Sequence, residues 1–209
     1  MCVFAVCVFL LAGCASSTHD HPAPVRPLVG KGSIAIAGAQ SAPPGVTGAA
    51  GAPAPDASIW AELAKASWIA EGSVKPTRIV YVFTDTECPY CHQLWQAIQP
   101  LLIGGDVQVR QIVLAVIAPA SRGRAAAILD AASPARALSQ HEGSFGHSPI
   151  KPESTVSAAT ARRLAANIDL AERLGIHGLP VTVVRDSAGK ILQLPGLLPS
   201  SRLKAIFGS

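Results

Sequence analysis

The sequence predicts an α/β domain in which a strand-helix-strand unit is followed by a helical insert, then by a β-hairpin and a closing helix. Three observations carry this. Val80-Tyr81-Val82-Phe83 is a run of β-branched and aromatic residues ended by Thr84-Asp85-Thr86, after which Leu94, Ile98, Leu101 and Leu102 recur at helical spacing. Val107 to Ile117 reads VQVRQIVLAVI, whose continuously apolar second half predicts a strand buried on both faces beside Arg78 to Phe83. Gly178 to Val184 and Lys190 to Leu194 are two apolar runs separated by the turn residues Asp186-Ser187-Ala188-Gly189, the pattern of a hairpin.

The flanking elements follow from the same rules. Order is expected to begin near Ser58, where Ile59, Trp60, Leu63, Ala64 and Trp68 form a helical face and Gly72 offers a stop. Trp60 and Trp68 read as packing residues, because large aromatics chiefly bury area. Residues 119 to 175 have much alanine and little β-propensity, and form the predicted helical insert. Ala125, Ile128, Leu129 and Ala132 mark one helix, and Ala161, Leu164, Ile168 and Ala171 another. Ser133-Pro134 looks like a helix start, and Gly175-Ile176 a stop with its apolar contact. The loop from Glu142 to Pro152 has His141, Phe145 and His147 within or beside it, and its histidines are expected to be solvated. Pro199 to Phe207 is predicted as a capped helix led by Ser200 or Ser201.

At 209 residues the chain suits one domain with appendages. Its formal charge is +4, and residues before Ser67 hold three basic and three acidic side chains, so the excess is spread over the later part. That is too diffuse for a nucleic-acid footprint. Residues 1–13, MCVFAVCVFLLAG, are uncharged and too short to span a bilayer, which takes about 20 apolar residues; they read as a signal-peptide core. Leu11-Ala12-Gly13-Cys14 resembles a bacterial lipobox, which implies acylation of Cys14; conventional cleavage near Ala15 is the alternative. Residues 14–57 are rich in Pro, Gly and Ala and predict a flexible tether, with His19 and His21 as solvated linker histidines. Residues 58–209 form the folded domain. Once Cys2 and Cys7 leave with the signal and Cys14 carries lipid, one dithiol remains in an oxidising compartment, where it is more useful as a reagent than as a staple.

That dithiol is Cys88-Pro89-Tyr90-Cys91, placed where the central strand ends and a helix begins. A helix's first turn has unpaired N–H groups and the positive end of the macrodipole, and both favour a thiolate over a thiol. The thiolate is the attacking species in disulfide exchange. Pro89 suits this turn, where its missing N–H costs nothing, and the two-residue spacing lets the sulfurs meet. Cys88 is therefore the expected nucleophile and Cys91 the resolving thiol. A C-x-x-C is also half a zinc site, but tetrahedral zinc takes two further ligands, and only His92 and His177 are on offer. A structural disulfide closing so short a loop would constrain the unfolded chain very little. No metal and no cofactor is expected.

The order of elements is that of the thioredoxin superfamily, and VYVFTDTECPYCHQLWQAIQPLL resembles the DsbG branch of the DsbC/DsbG family of periplasmic disulfide isomerases and reductases. The likeness runs from about Trp60 to the C-terminus and includes Ala125-Ala126-Ala127-Ile128-Leu129 and Leu174-Gly175. It implies a thioredoxin-like fold and Pro180 as a cis-proline facing the dithiol. Leu179, Pro89 and Tyr90 would then contact substrate, the backbone of Leu179 pairing with an extended chain. It further implies an oxidoreductase that reduces or isomerises disulfides, or other oxidised cysteines, in exported proteins, with a membrane electron donor of the DsbD type. A net dithiol oxidant and a non-catalytic lipid-tethered chaperone are the alternative readings.

Three features depart from the family pattern. Leu179 stands where the family has threonine before the cis-proline. Glu87 directly precedes Cys88, where a carboxylate opposes a thiolate. His21-Pro22-Ala23-Pro24-Val25 resembles only the start of the family's N-terminal dimerisation domain, so the expected form is a lipid-anchored monomer in the periplasm. Ala15 after Cys14 favours the outer membrane, by resemblance to lipoprotein sorting signals.

Overall fold

A computed structural model of the chain describes residues 55–208. The signal segment, Cys14, His19, His21 and the tether up to residue 54 lie outside the described residues. The elements are α1 (Pro55–Lys65), β1 (Trp68–Gly72), β2 (Arg78–Thr84), α2 (Pro89–Leu102), β3 (Val107–Val113) and α3 (Pro119–Leu129). Then come α4 (Pro134–Glu142), α5 (Ala158–Arg173), β4 (Val181–Arg185), β5 (Ile191–Pro195) and α6 (Ser200–Phe207). The five strands form one sheet in the order β1-β3-β2-β4-β5, with β2 and β3 parallel and the other pairs antiparallel.

The period-2 alternation of β2 divides the core between the two faces of the sheet. Val80 and Val82 point to one side, where they meet Leu94, Ile98 and Leu102 of α2 and Leu203, Ile206 and Phe207 of α6. Tyr81 and Phe83 point to the other, against Leu63 of α1 and Leu170 and Ala171 of α5. A third cluster joins Ile69 and Val113 to Ala125, Ile128, Leu138 and Leu164 of the helical insert. Complete burial of each such Leu, Ile or Phe contributes about 1.5–3 kcal/mol, so α2 is fixed firmly on the sheet by its inner stripe.

Two strand assignments are corrected. The helical pattern read from Ile59 to Gly72 breaks at Lys65, and Trp68–Gly72 is an edge strand antiparallel to β3. Tertiary contacts override the helical spacing there. Asn167, fully buried, accepts from Ser67 N–H and donates to the carbonyls of Ser67 and Val113 at 2.9–3.0 Å, and Arg110 covers the Trp68 ring at 4.2 Å. Gly72 does end the element, at φ +85°, and a Cβ there would lie 2.6 Å from the Val107 carbonyl. The second correction is that β3 stops at Val113 rather than Ile117. Leu114 N–H turns to the Thr84 carbonyl at 2.9 Å, Ala115 adopts φ 60°, and Val116 and Ile117 become a half-exposed loop.

The remaining terminations are local. Gly175 takes a left-handed φ of 67° after α5, and Ile176 N–H returns to the Ala171 carbonyl at 2.9 Å while its side chain is buried. The hairpin turn is held by the Asp186 carboxylate, which accepts from Ala188 and Lys190 N–H, both at 2.9 Å. Helix α6 has Pro199 at its N-cap and no side-chain cap, so Ser200 and Ser201 are its first helical residues rather than its cap.

Candidate active site

Cys88 occupies the N-cap of α2, with extended backbone (φ −92°, ψ 112°), Pro89 at the first helical position, and Cys91 N–H donating to its Sγ at 3.3 Å. The sulfur thus receives a first-turn N–H and sits at the positive end of the helix dipole. Both cysteines are free thiols and both are buried, Cys88 at 4% exposure and Cys91 at 3%. Burial, and then the neighbouring Cys88, push the Cys91 thiol well above the ordinary range, against weaker opposing contacts with the Asp85 backbone and the Thr84 side chain. Cys91 is accordingly held as a protonated thiol in this dithiol form. Pro89 and Tyr90 lie on the surface, Tyr90 at 61% exposure.

The Leu179–Pro180 peptide is cis. Its place follows from register: Phe83 of β2 pairs with Val181 of β4, which brings Pro180 beside Thr84, at the end of the strand that leads to Cys88. Pro180 is buried and Leu179 half-buried. Leu179 forms a wall shared by two cavities of about 410 and 230 Å³, the smaller one apolar and bordered by Val116, Ile117 and Ile168. The Leu179 side chain is thus part of an apolar rim.

Asp85 organises the loops around the dithiol. It is fully buried, and its carboxylate accepts from Glu87 N–H (2.8 Å), Ser121 Oγ (2.6 Å), Val116 N–H (2.6 Å) and Ile117 N–H (3.0 Å), while its carbonyl accepts Cys88 N–H at 3.2 Å. A carboxylate with four donors is a fully satisfied buried anion. Sequence reasoning treats Asp85 only as the residue that breaks the strand. The Thr-Asp-Thr placement at a strand end was the available signal, since Asp there readily bonds backbone N–H groups.

Glu87 does not face the dithiol unopposed. Its carboxylate takes a hydrogen bond from Arg124 Nε, and Arg124 Nη1 also holds the Ile150 carbonyl, so the charge that was expected to oppose Cys88 is neutralised by a half-buried guanidinium.

Behind the dithiol, the expectation of solvated loop histidines holds for His147, which is exposed, and fails for His141. His141 is 2% exposed and its Nε2 lies 2.6 Å from the Thr86 carbonyl, which makes Nε2 the protonated nitrogen. Burial holds His141 below its ordinary range, and so keeps it neutral. His92 Nδ1 lies 2.9 Å from Glu142 Oε2, and its ring stacks on Phe145 with centroids 4.5 Å apart. Burial pushes Glu142 up to about 8, with Glu71 and Glu87 adding to the rise, and burial also lowers His92. Near neutral pH this is a neutral acid hydrogen-bonded to a neutral imidazole. Glu71, likewise raised by burial, accepts from Trp95 Nε1 and Gln111 Nε2, both at 2.9 Å. His92 and Glu142 are 50 residues apart, and no local pattern reveals the pair. Among the described residues no group of three or more His, Cys, Asp or Glu side chains is placed to hold a metal ion, and His177 is exposed on the proline loop.

Comparison with known proteins adds ancestry to this geometry. Residues 65–209 match the thioredoxin-like domain family model. The thiol:disulfide interchange protein DsbG of Pseudomonas aeruginosa is 33% identical over 150 residues, 72% of this chain and 59% of that protein. DsbG of Escherichia coli K12 is 34% identical over 151 residues, 72% of this chain and 61% of that protein. The chain therefore spans about three-fifths of the length of the curated relatives it matches. Among solved structures, the catalytic domain of Proteus mirabilis ScsC aligns with TM-score 0.53 at 22% identity, covering 72% of this chain and 93% of that one. A disulfide interchange protein from Neisseria gonorrhoeae aligns with TM-score 0.53 at 21% identity, covering 68% and 93%. At that identity the two structures speak to the fold, which is thioredoxin-like with a helical insert between the βαβ half and the C-terminal hairpin and helix.

Proposed function

The chain belongs to the thioredoxin-like domain family, of which it is a DsbG-like member, and from that footing we propose that it is a thiol-disulfide oxidoreductase that reduces or isomerises disulfides of exported proteins. The observation that carries the reading is the asymmetry of the dithiol. Cys88 Sγ receives a helix N–H, whereas Cys91 is kept protonated one turn in. The Cys88 thiolate attacks one sulfur of a client disulfide, forming a mixed disulfide and releasing the other client sulfur, which takes up a proton. Cys91 then loses its proton and attacks Cys88 Sγ, releasing the second client thiol. The client gains two electrons and the protein is left with a Cys88–Cys91 disulfide. In isomerisation, a different client thiolate attacks the client sulfur of the mixed disulfide instead, forming a new client disulfide and releasing Cys88 as thiolate, and no net electrons pass.

Continued reduction needs a dithiol donor, and resemblance supports a membrane reductase of the DsbD type. Pro89, Tyr90, Pro180 and the backbone of Leu179 are the proposed client contacts, with Tyr90, Val116 and Ile117 supplying an exposed apolar surface around the dithiol. We also place the protein in the periplasm, as a monomer anchored by lipid on Cys14. The lipobox resemblance and the Pro/Gly/Ala-rich composition of the tether support that placement. Incorporation of labelled palmitate should disappear in Cys14→Ala, and sedimentation of the exported chain should give a monomer.

The functional test is catalysis of reduction and of scrambled-disulfide rearrangement by the reduced protein, with the Cys88–Cys91 redox state followed in cells. Activity lost in Cys88→Ser, with the dithiol largely reduced in cells, supports the proposal. A dithiol held oxidised in cells, in a protein that donates its disulfide to reduced clients, would instead identify a net oxidant. Prevention of aggregation that survives loss of both cysteines, without any exchange activity, would identify a chaperone.

A further inference from the structure

A cavity of about 600 Å³ opens beside the dithiol, bordered by Glu87 and Pro89, the two residues that flank Cys88, and by Arg124, His141, Phe145 and Lys151. Its outer wall is the segment between α4 and α5, and that wall is fixed in place. Glu153 N–H donates to the Gly123 carbonyl at 3.0 Å, and the approach is so close that a Cβ on Gly123 would lie 2.3 Å from the Glu153 carbonyl. Arg124 Nη1 holds the Ile150 carbonyl, and Ser148 Oγ accepts Ile150 N–H at 3.1 Å. The cavity is therefore a built recess and not a gap under a loose loop.

Its charge is one-sided. The single carboxylate on the wall, Glu87, is neutralised by Arg124. Lys151 is exposed and has no ion pair among the described residues, which leaves its ammonium as uncompensated positive charge. Phe145 offers an apolar face. His141, with Nε2 committed to the Thr86 carbonyl, lines the inner wall.

We propose that this recess is a specificity subsite that receives an acidic side chain lying a few residues from the oxidised cysteine of a client. The proposal rests on the exchange reaction at Cys88 and names the client class it prefers. A client cysteine bound to Cys88 places its neighbouring residues over Glu87 and Pro89, at the mouth of the recess, and Lys151 meets an Asp or Glu there. Focusing by the recess walls strengthens the attraction over that of an open surface pair, and added salt weakens it.

The test uses the full protein and two peptide series identical except for Asp/Glu or Asn/Gln beside one position. With serine at that position the peptides are unreactive, and binding is followed by NMR. With cysteine there, each is offered as a mixed disulfide with a small neutral thiol, and the second-order rate constant for its reduction by the reduced protein is measured in a single turnover. The acidic serine peptide should bind about 2- to 5-fold more tightly than the neutral one and shift the amides of residues 145–152. Lys151→Arg should keep the preference, Lys151→Glu should abolish or reverse it, and about 0.5 M salt should shrink it. Equal affinities in the wild type, or a preference that survives Lys151→Glu, would overturn the subsite. Failure of the exchange reading is seen separately, as mixed disulfides that are not reduced by a protein that still binds the acidic serine peptide.

Discussion

Glu142 is 3% exposed, and its carboxyl is held at about 8 against an ordinary 4.5, by burial first and by Glu71 and Glu87 next. Each pH unit between those two values corresponds to about 1.4 kcal/mol, so ionising Glu142 inside the fold costs up to about 5 kcal/mol, and about 2–5 kcal/mol once local relaxation and water entry are allowed for. The direction is fixed by proton counting. Between pH 4.5 and 8 the folded chain keeps a proton that the unfolded chain has lost, so the stability from this group is complete below 4.5 and falls as pH rises through about 8. Glu142→Gln preserves the shape and a donor toward His92 Nδ1 but cannot ionise. His92 and His141 act in the opposite sense: burial lowers both, so their cost to the fold is present below 6.5 and is relieved as pH rises. That contribution is common to both proteins and largely cancels in their difference. Urea unfolding of the reduced proteins, followed by tryptophan fluorescence from pH 5 to 9, should give nearly equal stabilities at the acid end. The variant should be about 2–5 kcal/mol more stable at the alkaline end. A difference that is flat with pH, or that grows toward acid, would refute the neutral Glu142–His92 pair.

Two further perturbations test the supports of the site. Asp85→Asn turns one of two acceptor oxygens into a donor facing N–H groups, which should cost about 2–4 kcal/mol and selectively weaken hydrogen-exchange protection at Val116 and Ile117; unchanged protection there would show that the loop does not depend on the carboxylate. Gly123→Ala forces the backbone around Glu153 to move, because its Cβ would sit 2.3 Å from a carbonyl oxygen. A loss of about 1–3 kcal/mol in thermal or urea unfolding, with displaced resonances for residues 146–153, is expected, and an unperturbed loop would mean that the close approach is not what fixes it.

How much of this was readable in advance depends on the range of the interactions. The junction of β2 with α2 is legible because strand alternation, the Thr-Asp-Thr break, proline at the first helical position and the helical spacing after Cys91 are all local signals, and they agree. The hairpin around Asp186 is legible for the same reason. Strand β1 is not, because Trp68 to Gly72 continues a helical spacing and becomes a strand only through pairing with β3 and the Asn167 clasp. The early end of β3 is equally non-local: Val116 and Ile117 look like strand until Asp85, more than 30 residues earlier, takes their N–H groups. The chemistry around the dithiol divides in the same way. Cys88 and Cys91 stand out by spacing, whereas the Arg124–Glu87 pair, the Glu142–His92 pair and the buried His141 join α2 and the loop before it to the helical insert across 37 to 55 residues. A histidine or glutamate in an alanine-rich helix carries no mark of which of its faces will be buried.

The central claim is that Cys88 attacks and Cys91 resolves. Cys91→Ala removes the resolving thiol and leaves the nucleophile at the helix N-terminus, so incubation with a protein disulfide should accumulate a covalent adduct. Mass spectrometry of the digested adduct should place the client on Cys88, and the adduct should be released by added thiol. Cys88→Ala should accumulate none on Cys91, whose thiol is held protonated. Adducts on Cys91, or no adduct in Cys91→Ala while Cys88 is alkylated readily by a small reagent, would contradict the account.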